Sequence, residues 1–300
     1  MKLGARGSAL SLAQTEWVAR GLAGVVGVEV LTFRTTGDRL SLANAEISGK
    51  GIFTKEIDEA LLEGRVDVGV HSMKDLPSEI PAGLVLASVP AREDPSDVLI
   101  SHPSAPLAHL PTGARIGTGS PRRKAQLLAL RPDLTVLDAR GNVDTRIRRL
   151  REGRWDAIVL ARAGLARLGR LEDVSEAFGS DRMLPAIGQG ALALIAREED
   201  SETRRVLAFL DDEECHRQVL AERTLLTHLE AGCRAPLAGL ARRSAQGMLT
   251  LAAGVFSPDG RRLLREEATG PAADPSGLGR RVAEALLARG AAELIREARG

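Results

Sequence analysis

A strand-and-helix alternation runs twice through this chain, and a shared five-residue tag marks the last helix-to-strand turn of each run. EGRVD (63–67) precedes VGV, and EGRWD (152–156) precedes AIVL. In the first run, residues 2–5 read as a strand. Ser8 caps a helix to about Gly24, with Leu12, Trp17, Val18 and Leu22 in helical spacing. Residues 28–36 have strand composition, 54–63 are helical with Gly64 as C-cap, and 66–70 form a strand. In the second run, 114–119 is a strand and turn, 120–130 a helix, 134–139 a strand, 143–152 a helix and 156–161 a strand. Such alternation implies an α/β layer built on a mainly parallel sheet, and its recurrence implies two of them. Segments 77–81, 103–111 and PAIGQGA (185–191) read as connectors. After residue 211 the style changes. A helix from about Glu213 to Glu230 is followed by strand candidates at 237–243, 248–256 and 261–268, a SPDG turn joining the last two. A final helix starts near Ser276, which makes a smaller α+β domain.

Composition narrows the function. A net charge of +1 removes the bulk electrostatic case for nucleic acid or membrane binding, and 2% aromatic residues leave few platforms for stacking bases. The two cysteines, Cys215 and Cys233, cannot build a disulfide framework or a four-cysteine zinc site, and no His/Asp/Glu spacing suits a metal. The N-terminus lacks a signal-peptide pattern, and no segment approaches the ~18 apolar residues of a membrane span. A soluble cytoplasmic protein is expected.

In open α/β sheets, ligands bind beyond the carboxyl ends of the strands. The groups expected there are Arg6 and Ser8, then His71, Ser72, Lys74 and Asp75. The second run contributes Thr118, Ser120, Arg122, Arg123 and Lys124, then Arg140, Asn142 and Arg162. Cations at this edge of two sheets suggest a cleft between domains that holds a polyanion. GTGSPRRKAQL (117–127) is the sharpest anomaly. Ser120 suits the N-cap and Pro121 the first helical position, yet Arg122, Arg123 and Lys124 fill the first turn against the helix dipole. Holding an anion with free N–H groups and guanidinium forks would account for this, and a solvated arginine-rich surface is the competing reading. Asn142 or Asp144 caps the helix that carries Arg146. His71 is expected to hydrogen-bond backbone at its strand end. SGKGIF (48–53), with Lys50 and Phe53, is either a lid or an ordinary surface loop. Cys233 lies just past a helix ending at Gly232, where nothing lowers a thiol pKa. Cys215 follows DDEE and is expected to be inert.

Seven segments, ARGSALSLAQ, GKGIFTKEID, VDVGVHSMKDLP, IGTGSPRRKAQL, ARGNVDTRI, LPAIGQGA and LEAGCRAPLAG, occur in an order that resembles the porphobilinogen deaminase (hydroxymethylbilane synthase) family over nearly the whole chain. The resemblance implies two similar α/β domains of the type II periplasmic-binding-protein kind with mixed sheets, at 1–91 with 189–210 and at 92–188, plus a small α+β domain at 211–300. It implies a dipyrromethane cofactor joined to Cys233 by a thioether, and a monomer acting on porphobilinogen. Four porphobilinogen molecules are joined head to tail with loss of ammonia, and water releases 1-hydroxymethylbilane. Asp75 is then the catalytic carboxylate. Lys74, Asp75, Thr118, Ser120, Arg122, Arg123 and Arg146 match cofactor-binding positions, and Arg6, Ser8, Phe53, Arg140, Arg146 and Gln189 match substrate-binding ones. Lys50 and Phe53 match the mobile segment over the site. Pro121, Asp144 and Asp173 depart from the family pattern. Asp173 stands where relatives often have a substrate-binding arginine, so Arg162 or Arg170 is expected to supply that cation. A two-lobed organic-anion-binding protein without catalysis is the alternative; it would need neither Asp75 among cations nor a third domain bearing Cys233.

Overall fold

The computed structural model describes residues 1–37, 51–230, 235–244 and 246–298. The chain forms two compact units, Met1–Glu93 with Gly190–His216, and Asp94–Gln189 with Arg217–Gly300.

The first unit is built on β1 (Lys2–Arg6), β2 (Glu29–Phe33), β3 (Val68–Ser72), β4 (Leu84–Ser88) and β10 (Leu192–Arg197), in the order β2-β1-β3-β10-β4. β1 runs parallel to β2 and β3, whereas β10 is antiparallel to β3 and β4. The second unit repeats this plan with β5 (Asp97–Ser101), β6 (Arg115–Gly117), β7 (Thr135–Leu137), β8 (Ala157–Ala161) and β9 (Glu176–Ala177), in the order β7-β6-β8-β5-β9. Here β6 is parallel to β7 and β8, and β5 is antiparallel to β8 and β9. Each sheet is therefore mixed, which corrects the expectation of mainly parallel sheets. The strands that the alternation did not reveal, β4, β5, β9 and β10, all pair antiparallel and need no crossover helix to announce them. β5 and β10 are buried almost throughout, and a short buried run carries no periodicity.

The repeated tag has a structural cause. Gly64 and Gly153 sit at φ +71° and +77°, just past helices Lys55–Leu62 and Val143–Arg151, where a side chain would strain the backbone. Three residues on, Asp67 and Asp156 do the same job in their two units. The Asp67 carboxylate accepts the Lys2 N–H at 2.7 Å while its own N–H donates to the Lys2 carbonyl at 2.8 Å. Asp156 treats Arg115 identically, at 2.7 and 2.8 Å. Each tag ends a helix and then latches the start of the parallel strand beside its own, β1 in the first unit and β6 in the second.

Helix Ala9–Leu22 is capped by the Ser8 hydroxyl, which accepts the Ser11 N–H at 3.3 Å. Its buried face is Ser11, Gln14, Thr15, Val18 and Leu22, and Trp17, expected on the apolar face, is exposed. Val18 and Leu22 join Leu3, Val68, Val70, Leu192 and Leu194 in one core. In the second unit, one core gathers Leu99, Ile116, Leu127, Val159 and Phe178, and another Val98, Ile147, Trp155 and Ile158. The same unit holds an antiparallel sheet of β11 (Leu237–Arg243), β12 (Met248–Phe256) and β13 (Leu263–Pro271). Helices Glu213–His228 and Pro275–Ala288 supply Leu225, Leu278, Val282 and Leu286 to its core.

Candidate functional site

In the first unit, β1 and β3 end side by side. Arg6 closes β1, and a single 3-10 turn, Met73–Asp75, follows β3. Met73 is buried and its N–H donates to the Ala191 carbonyl at 3.0 Å, so this turn is anchored from below. Asp75 is thereby held at the rim with a third of its side chain exposed, and its carboxylate lies 3.7 Å from the Arg6 guanidinium. Phe53 stacks on that guanidinium, 4.2 Å from the ring centroid, which limits its freedom. The Arg6 N–H donates to Ser11 Oγ, and Gln14 Nε2 donates to Ser72 Oγ at 2.9 Å. Arg6, Ser8, Gln14, Phe53, Ser72 and Asp75 line one small pocket. Lys74 is exposed beside it. The arrangement offers one carboxylate among hydrogen-bonding groups and a cation. It can stabilise developing positive charge on a bound molecule while the cation takes an acidic substituent.

Beneath the site, His71 is buried, and its Nε2 has no hydrogen-bond partner among the described residues. Asp58 Oδ1 is 4.0 Å away. Burial, then the nearby Arg6, pushes the His71 pKa down to about 4. Burial pushes Asp58 up to about 6 against a hydrogen bond from Thr54.

In the second unit, Ser120 caps helix Pro121–Leu130, accepting the Arg123 N–H at 3.4 Å, and Thr118 Oγ1 accepts the Ser120 N–H at 3.2 Å. Arg122 and Arg123 are both buried, and both meet an internal anion. Arg122 Nη1 donates to Asp97 Oδ2 at 2.6 Å and to the Leu184 carbonyl at 2.7 Å. Arg123 Nε donates to Asp97 Oδ1 at 2.9 Å and its Nη1 to the Val159 carbonyl at 3.0 Å. Gln189 Nε2 also donates to Asp97 Oδ1, at 2.9 Å. Burial works against an ionised Asp97, but Arg122 and Arg123 outweigh it and hold the carboxyl well below the usual range. Burial lowers the Arg123 pKa. Sequence reasoning did not name Asp97, and the only signal was a carboxylate opening the apolar run DVLI.

Asn142 caps helix Val143–Arg151, accepting the Thr145 N–H at 2.9 Å. Arg146 Nε donates to the Gly141 carbonyl at 2.8 Å. Its pKa is pushed down to about 10, first by burial and then by Arg123. Arg140 pairs with Asp138 at 2.6 Å. Arg122, Arg123, Arg140 and Arg146 thus gather around Asp97 and Asp138 as a cluster of cations. Arg122 Nε is buried without a partner among the described residues. A group rich in carboxylates, such as a pyrrole chain bearing acetates and propionates, fits both features.

Asp173 is bound by Arg151 at 2.7 Å and by Arg170 at 2.8 Å, and Arg170 reaches Asp144 at 2.9 Å. The departures at 144 and 173 therefore share one arginine. Arg162, beyond β8, is paired with Asp94 at 3.3 Å. Lys50 and Cys233 lie outside the described residues. Cys215 is buried, and its N–H donates to Asp212 Oδ1. Among the described residues no cluster of side chains could hold a metal ion.

Residues 1–205 match the family model described as porphobilinogen deaminase, dipyromethane cofactor binding domain, and residues 216–288 match the C-terminal domain of the same family. A porphobilinogen deaminase of Syntrophus aciditrophicus is 46% identical over 299 residues, covering 98% of this chain and 97% of the relative. Those of Geobacillus kaustophilus and Rubrobacter xylanophilus are 48% and 49% identical, covering 98% and 99% of this chain and 96% and 97% of theirs. An arginine-specific periplasmic binding protein of Salmonella typhimurium aligns over 70% of this chain and 91% of its own, at 14% identity and a TM-score of 0.39.

Proposed function

This chain belongs to the porphobilinogen deaminase family, and we propose which of its residues perform that family's reaction. It is a transferase that joins four porphobilinogen molecules into 1-hydroxymethylbilane, releasing ammonia, on a covalently bound dipyrromethane in tetrapyrrole synthesis. Membership sets aside the reading as a non-catalytic anion receptor. When bound, the dipyrromethane supplies the pyrrole α-carbon from which the chain grows.

Asp75 is the catalytic carboxylate. It accepts a pyrrole N–H of porphobilinogen and stabilises the positive charge that develops on the substrate as ammonia leaves. The observation that carries this is a carboxylate fixed by a buried turn, 3.7 Å from a guanidinium that is itself held by a ring. Arg6, Ser8 and Phe53 orient the substrate there, with Arg140, Arg146 and Gln189 as further substrate groups. Lys74, Thr118, Ser120, Arg122, Arg123 and Arg146 hold the cofactor carboxylates, and Cys233 is the point of attachment. The clustering of Arg122, Arg123, Arg140 and Arg146 around Asp97 and Asp138 supports this division. Of the two candidates for the cation displaced from position 173, Arg162 is the more available, because Arg170 already serves Asp173 and Asp144. Domains at 1–91 with 189–210, at 92–188 and at 211–300 carry these roles. We take the enzyme to be a cytoplasmic monomer; among the described residues no helix is long and apolar enough to cross a membrane.

The deciding experiment is Asp75→Ala in the full chain. Hydroxymethylbilane formation should fall by orders of magnitude with the circular dichroism spectrum unchanged. Near-normal turnover by the folded variant would sink the assignment.

A further inference from the structure

Three donors proposed above to serve the cofactor or the substrate converge on one carboxylate that touches neither in any role given so far. We propose that Asp97 is a positioning residue for the reaction, setting the directions in which Arg122 and Arg123 present their remaining donors, with Gln189 helping to fix the carboxylate. The inference rests on the reading that Arg122 and Arg123 hold the cofactor carboxylates.

The geometry is that of a jig. Asp97 opens β5, where it pairs with Ala161, and its carbonyl accepts the Phe178 N–H at 2.9 Å, so its backbone is fixed on both sides. Its side chain is fully buried, and it divides its oxygens, Oδ2 taking Arg122 and Oδ1 taking Arg123 and Gln189. A guanidinium held at one point can still swing about its stem. Here each is held at two. Arg122 is tied to Asp97 and the Leu184 carbonyl, and Arg123 to Asp97 and the Val159 carbonyl. Two points fix the plane of a rigid fork, and with it the aim of the N–H groups left over. Gln189 is fixed in the same way by Asp97 and by the Pro95 carbonyl at 2.7 Å.

Charge points the same way. Burying two guanidiniums together is costly unless a counter-ion is present, and a counter-ion for each would leave nothing for a ligand. One carboxylate between two cations permits the burial and keeps a positive charge in reserve.

The test compares Asp97→Glu, Asp97→Asn, Arg122→Gln and Arg123→Gln as full-length enzymes expressed in cells. Intact mass gives the fraction carrying dipyrromethane, thermal unfolding gives Tm, and the cofactor-bearing fraction gives kcat and KM for porphobilinogen. Asp97→Glu keeps the charge but moves it by one methylene, so it decides the matter even where Asp97→Asn fails to fold. The expected result is a folded Asp97→Glu enzyme whose cofactor-bearing fraction falls, or whose KM rises, at least tenfold, as in the two arginine variants. A folded Asp97→Glu enzyme with only a lower Tm, at wild-type cofactor content and KM, overturns the positioning role. Arg122→Gln and Arg123→Gln enzymes with full cofactor content would instead overturn the reading on which it rests.

Discussion

His71 and Asp58 face one another at 4.0 Å, one on β3 and the other on the helix packed below it, and their pKa values are moved in opposite directions. The groups acting on them are Thr54 and Glu59 for Asp58, and Arg6 for His71. For His71, lowered to about 4, the unfolded chain binds the proton first, so its contribution falls as pH drops from 6.5 towards 4. For Asp58, raised to about 6, the folded chain binds the proton first, so its contribution falls as pH rises from 3.8 towards 6. The windows overlap and the signs oppose, so the pair's own pH dependence largely cancels. Replacing one partner exposes the other. Relative to wild type, Asp58→Asn should lose stability on acidification between about pH 6 and 4, and His71→Asn should gain it. The amplitude is at most about 3 kcal/mol, and smaller for Asp58, which keeps some contact with water. Urea unfolding at several pH values measures it, and parallel curves for both variants and wild type would disprove the compensation. Neither Asp58 nor Asp97 was legible in the sequence. A carboxylate inside a helix or at the head of a strand reads as solvated until the fold brings a buried partner to it. Asp75 was legible from the polar cluster that follows β3 and from the family resemblance, although the Arg6 it meets in space ends a different strand.

Among elements, the tag EGR[VW]D shows how a motif can be visible without being understood. Its recurrence was readable, but its job was not, because the carboxylate acts on a residue 65 positions away in one unit and 41 in the other. Asp67→Ala should lower stability by about 0.5–1.5 kcal/mol, the net worth of one hydrogen bond, and Asp156→Ala by at least as much, because its carboxylate also accepts from Arg115 Nε and Nη2. The values should stay at the low end because water can reach both bonds. Equilibrium urea unfolding provides the check, and an unchanged midpoint in both variants would show that the latches contribute nothing. The helices named from the sequence were legible to within a few residues because caps advertise them, whereas Arg162–Arg167 and Ser201–Leu207 went unnamed. Ser8, Ser120 and Asn142 all accept the N–H they should. Strands β11 to β13 were legible too, whereas β4, β5, β9 and β10 were not, since β4 and β5 lack both alternation and a crossover to bracket them.

For the whole molecule, the sulfur positions divide cleanly. Cys215 is 3% exposed and sits in the first turn of a helix capped by Asp212, with no surface to offer a cofactor. We expect the intact protein to carry the mass of two linked pyrroles, Cys215→Ser to retain it and Cys233→Ser to lose it. An adduct mapped to Cys215, or its absence from active enzyme, would contradict this. The same scale brings out a consequence of where β10 lies. It sits between β3 and β4, yet it is encoded after the whole of the second α/β layer. A ribosome therefore delivers β1 to β4 about a hundred residues before the strand that joins them, a wait of roughly 5–20 s at ordinary elongation rates. During that interval the inner edges of β3 and β4 are unpaired templates for other chains. The nascent first lobe depends on chaperones, or on the speed of synthesis, in a way that the second lobe, encoded without interruption from β5 to β9, does not.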